Sequence, residues 1–288
     1  MLKLAAAIAF VAVVYLVVSW PAPFVLAEDV EANEDADKSA SADELKARLR
    51  LAEEHVRRFE LRSLDDDEAI DLIDRPLLAF GDSARTHDNG TLWAWGSSGR
   101  PLAFMELFQG AKTGAQWIHA VTLTSSRPVI LVAPESGRWE PQQTPLESTP
   151  IPDAPSPADK EPARLRQLKD LARRFTAHEF WDPDNSRFEL RLLVQPVHRY
   201  ADPAAEIQDG AAFVIAHGTN PEGVLLIEAL GPTVDDAHWH YSLARSSHAE
   251  MHVELGGKEI WKTQRASEVN NGRTRSYWLF VSPVETAP

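Results

Sequence analysis

The chain has 288 residues, 29 basic against 43 acidic side chains, a formal charge of −14, 44% hydrophobic residues and no cysteine. The missing cysteines exclude a disulfide framework, an iron–sulfur cluster, a thiol nucleophile, a cysteine-ligated zinc and a bacterial lipoprotein anchor. The acidic balance argues against nucleic acid, whose phosphates need clustered Lys and Arg. Nucleotide is not implied either, because Gly-x-Gly-x-x-Gly and P-loop patterns are absent.

In chain order, residues 1–27 read as a signal peptide: Lys3, an apolar run from Leu4 to Val18, helix-breaking Pro21 and Pro23, and Ala27 at the cleavage point. Retention of this segment as a membrane anchor is the alternative. Cleavage implies an exported protein, periplasmic or extracellular. Residues 28–40 follow as an acidic, solvated tail, with six acids and no base between Glu28 and Asp37.

The remainder repeats itself. Arg57-Arg58-Phe59 recurs as Arg173-Arg174-Phe175. Phe80, Gly90 and Trp93 line up with Tyr200, Gly210 and Phe213 at an offset of 120, and Glu106, Trp117 and Trp139 with Glu228, Trp239 and Trp261 at 122. The first copy spans 41–142, a Pro-rich extended linker 143–159, and the second copy with an extra C-terminal strand 160–288. Each copy opens with a helix. Ser41 and Glu44 form a capping box ahead of Leu45, Leu49, Ala52, Val56 and Phe59, and Pro162 precedes Leu165, Leu168, Ala172 and Phe175. Short alternating stretches such as 91–96, 102–108, 117–123, 211–216, 224–230, 240–244 and 277–281 read as strands, and the short turns between them imply antiparallel neighbours. The fold class expected is α+β: two tandem helix-plus-antiparallel-sheet repeats, arranged as a pseudo-two-fold pair.

The stretch Phe188 to Tyr200, the Asp209-Gly210-Ala211 segment, the Trp239 to Leu243 strand and the upstream Arg173-Arg174-Phe175 resemble a family of uncharacterised exported proteins of planctomycete bacteria. The resemblance implies an envelope or secreted setting and brings no activity or catalytic residues with it. The helix-then-sheet order is also similar to cystatin-like and NTF2-like folds, an analogy that carries no chemistry.

Three groups of residues are candidate sites. His238 and His240 share a strand face, as do His248 and His252 on a regular strand, and converging imidazoles there would bind zinc or copper; solvent-facing histidines are the alternative. Glu106 and Glu228 sit inside apolar strands, where a desolvated carboxylate can act as a general acid, or the two can face one cleft as an acid/base pair. Pairing with Arg100 or Arg199 is their structural alternative. Trp93, Trp95, Trp117 and Trp239 are candidate ligand contacts, Trp95 above all because its counterpart is Ile215. No serine-hydrolase elbow is present. The leading expectation is an exported, non-catalytic module that binds a protein or small envelope ligand; the rival is an envelope hydrolase or metal-binding protein using the paired Glu or the His residues.

Overall fold

The computed structural model describes residues 43, 45–82, 87–110, 116–134, 137–142, 146–181, 186–267 and 270–284. The expected signal peptide and acidic tail lie outside the described residues. From Leu45 onward the chain forms one compact unit.

Helix α1 (residues 45–56) buries Ala52, His55 and Val56, with Phe59 just beyond its end. It leads into β1 (Glu60–Ser63), β2 (Ala69–Ile70), β3 (Leu78–Asp82), β4 (His87–Trp95), β5 (Ala103–Gly110), β6 (Gln116–Leu123), β7 (Val129–Ala133) and β8 (Gly137–Trp139). The two-residue β9 (Thr149–Pro150) precedes helix α2 (Glu161–Ala172), which takes Pro162 in its first turn, where the missing N–H costs nothing, and buries Leu168, Leu171 and Ala172. Then come β10 (Phe175–Trp181), β11 (Ser186–Asp202), β12 (Ile207–His217), β13 (Asn220–Leu230), β14 (His238–Arg245), β15 (Glu250–Leu255), β16 (Lys258–Thr263) and β17 (Tyr277–Pro283). The sheets run β2-β1-β7-β8, β17-β6-β5-β4-β3 and β16-β15-β10-β11-β12-β13-β14-β9.

This architecture corrects the α+β expectation. The protein is mostly β, 53% strand against 13% helix, built as large antiparallel sheets curled into a half-barrel rather than as two helix-plus-sheet repeats. The reason is length: β11 alone runs 17 residues, while each helix covers one rim of a core that the sheets enclose. Two segments also depart from the expected partition. β9, inside the expected linker, pairs with β14, and β17, at the end of the expected second copy, pairs along the whole of β6. Later in the linker, residues 152 and 156 are tied to α2 and the turn after it: Gln167 donates to the Ser156 carbonyl at 2.8 Å and Arg174 to the Pro152 carbonyl at 2.7 Å.

Three apolar cores follow from strand alternation. Trp93 and Trp95 of β4 point into a core with Val56, Leu131, Trp139 and Phe280, whereas Leu92 and Ala94 point the other way. Phe213 and Ile215 of β12 enter a second core with Leu168, Trp239 and Met251. Between these lies a third, where Leu92, Ala94 and Phe104 meet Ala212, Val214, Val224 and Leu226. The central strands are therefore buried on both faces, which is why they read as near-continuous apolar runs. Small side chains at 94, 212 and 216 let the two sheets approach.

The recurring aromatic–glycine pairs have a common physical basis. Phe80 is the register partner of Gly90 and Tyr200 of Gly210, and a Cβ built on either glycine would fall inside the ring, 2.1 Å from Phe80 and 2.6 Å from Tyr200. Each ring covers the gap left by a strand glycine. For Tyr200 this cover also aims the hydroxyl at the third core.

Candidate functional site

The four tryptophans expected to contact ligand are core residues: Trp93, Trp95, Trp117 and Trp239 are 0%, 1%, 5% and 2% exposed. Alternation along β4, β6 and β14 turns each of them inward, and Trp95 offers no external face.

The histidines do not converge. His238 is exposed at the start of β14, and His240 sits 3.3 Å from the Ser148 hydroxyl, its pKa lowered by burial and then by the neighbouring His238 charge. His248 is beyond the end of β14 against the Tyr277 ring, lowered by burial and by Arg245 and Arg265. His252 lies on β15 with Nδ1 2.6 Å from Glu259 and Nε2 3.0 Å from Glu250, stacked on its cross-strand partner His178 at 4.7 Å. Carboxylates lie against both of its nitrogens. Among the described residues no group of three or more His, Asp or Glu is placed to hold a metal ion, zinc and copper included.

The glutamates are separated as well. The aligned positions of Glu106 and Glu228 are not equivalent in register. Glu106 pairs with Ala120, three residues after Trp117, whereas Glu228 pairs with His240, one residue after Trp239. Both carboxylates lie in the third core but in different networks. Glu106 accepts from the Ser246 hydroxyl. Glu228, 1% exposed, is gripped by the Arg100 guanidinium at 2.7 and 2.5 Å and by the Tyr200 hydroxyl at 2.8 Å. Burial, then the Glu228 charge, raises the Tyr200 pKa well above that of free tyrosine, so the phenol stays a donor. Each glutamate thus ties one sheet to the other, and the arrangement is a staple rather than an acid/base pair. Asp209 plays a similar part beneath α2, accepting from Arg164 and Arg199.

A different feature is open to solvent. Along β6 the edge facing away from β5 is filled: β17 pairs from Gln116 to Thr122, and the Leu123 amide donates to the Ser276 carbonyl at 2.8 Å. The segment ahead of β17 also bonds the chain after β8, through Glu140 to Arg273 and Gln142 to Thr274, and Trp139 Nε1 donates to the Arg275 carbonyl. The C-terminal segment so bridges β6 and β8, and Trp139 beneath it is 0% exposed. β14 holds in the eight-stranded sheet the place that β6 holds in its own, but among the described residues only the two-residue β9 pairs beside it, at His240 and Tyr241. A cavity of about 600 Å³ opens between β14 and β16, lined by Tyr241, Leu243, Arg245, Lys258, Trp261 and Lys262 among others. Trp261, the sequence counterpart of Trp139, is partly exposed there. The floor is rigid: Arg245 donates to the carbonyls of Ser247, Gln264 and Ala249 and lies 5.1 Å over the Tyr277 ring.

Residue reasoning missed this groove because none of its side chains carries a motif. The usable signal was the extra C-terminal strand: one added strand for two comparable sheets fills one edge and leaves another open. No known protein family, curated protein or solved structure matches the chain.

Proposed function

We propose that this chain is an exported, non-catalytic binding module whose ligand site is the groove between β14 and β16. The observation that carries the reading is the contrast between Trp139, sealed under the C-terminal segment, and Trp261, partly exposed in an unfilled cavity of about 600 Å³. That volume suits a small ligand or a short peptide, and its mixture of apolar surface with a few polar groups is typical of binding sites. The carboxylates that would serve a hydrolase are engaged in ties between elements, and this supports binding over catalysis. Export rests on the N-terminal segment and on the resemblance to exported proteins; no helix among the described residues is long and apolar enough to cross a membrane.

An apolar anionic dye, anilinonaphthalene sulfonate, tests the site. One saturable binding event is expected, weakened about tenfold, near 1.4 kcal/mol, by Lys262→Glu with Trp261→Ala. Dye binding that these substitutions leave unchanged, or no binding at all, contradicts the assignment.

A further inference from the structure

We infer that the groove takes an extended segment of another polypeptide, which adds to β14 as a strand and fills the place β17 holds on β6. This rests on the groove being the ligand site and adds what the ligand is. Backbone direction makes the argument. The Trp239 carbonyl accepts from the Ile151 amide, so Trp239 and every second residue after it on β14 turn their peptide groups away from β13. Tyr241 is met by β9, but the Leu243 amide and carbonyl and the Arg245 amide have no backbone partner among the described residues. The Arg245 carbonyl alone on this stretch is taken, by the Thr122 hydroxyl at 2.9 Å.

Unpaired strand groups at a sheet edge form a template for an incoming strand, with main-chain bonds supplying affinity and alternate side-chain pockets supplying selectivity. The chain itself shows how such an edge is filled. β17 lays Trp278 and Phe280, alternate residues, into the core beneath it. An occupant of the β14 edge would do the same above Tyr241 and Trp261. The lining carries Arg245, Lys258 and Lys262 against Glu147 and Glu259, which favours neutral or acidic segments over basic ones. The partner chemistry is therefore an extended, neutral-to-acidic peptide with apolar residues at alternate positions.

The probe is a synthetic ten-residue peptide alternating valine with threonine and carrying glutamate at both ends, added to the full chain. Saturable binding should slow hydrogen exchange at the Leu243 and Arg245 amides at least tenfold, and the same peptide N-methylated at alternate residues should not bind. A peptide that perturbs Trp261 fluorescence but leaves those amides unprotected overturns strand addition while leaving the groove a ligand site. A peptide that does neither overturns both readings. Protection of the same amides by concentration-dependent dimerisation, without peptide, gives the edge to a second copy and also overturns the inference.

Discussion

Replacing Glu228 by alanine is expected to destabilise the protein by about 3 to 4 kcal/mol, because it strips a buried cation and a buried phenol of their shared acceptor. Arg100 keeps 19% of its side chain in contact with solvent, which holds the loss below that of a fully enclosed pair. Tyr200 has no such relief, since its ring is 7% exposed and pinned over Gly210. The cost belongs to the orphaned partners rather than to the ion pair itself. Combining Glu228→Leu with Arg100→Met and Tyr200→Phe should therefore recover stability to within about 1 kcal/mol of the native chain. Urea unfolding midpoints of the single and triple variants decide the matter. A harmless Glu228→Ala, or a triple variant no better than the single, would show that this network does not hold the sheets together.

Acid should weaken the protein through a second buried group. His119 on β6 is 0% exposed, stacks flat on Phe280 of β17 at 4.3 Å, and has Nε2 2.9 Å from His55 Nε2 on α1. Burial, then the facing His55, pushes its pKa down to about 3, with a small opposing contribution from the Phe280 carbonyl. The unfolded chain binds this proton near the ordinary histidine value of about 6.5 while the folded chain refuses it. Stability from this residue is thus complete above about pH 6.5 and falls as the pH drops toward the folded value. The loss is about 2.5 kcal/mol by about pH 4.5, at roughly 1.4 kcal/mol per unit. His119→Phe keeps the stacking and removes the proton site. Between about pH 7 and pH 4.5 the native chain should lose that much more than the variant. Parallel pH profiles for the two would sink the assignment.

Much of the strand layout was legible. The alternating stretches at 117–123, 211–216 and 224–230 fall inside β6, β12 and β13, the stretch at 91–96 overruns β4 by Gly96 alone, and both helices stand near their expected places. The class was misjudged because helix signals such as a capping box are local and strong. The long β11 and the pairing of β17 with β6 depend on partners far away in sequence. The tryptophans and glutamates misled for a related reason. Alternation tells which residues share a face, but with both faces of a strand buried it does not tell which face meets solvent. A two-residue difference in register then separates Glu106 from the position of Glu228. The groove was hidden because it is defined by an absent neighbour rather than by any residue.

Amide hydrogen exchange on the free protein tests the central claim, that the β14 edge is open where the β6 edge is closed. Val121 and Leu123 on β6 hold the places of Leu243 and Arg245 on β14; Val121 is the register partner of Trp278 and the Leu123 amide bonds Ser276. The amides of Val121 and Leu123 should exchange slowly, near the limit set by global unfolding, and those of Leu243 and Arg245 at least about a hundredfold faster. Equal protection at all four positions would mean that the β14 edge is already covered, and would contradict the account.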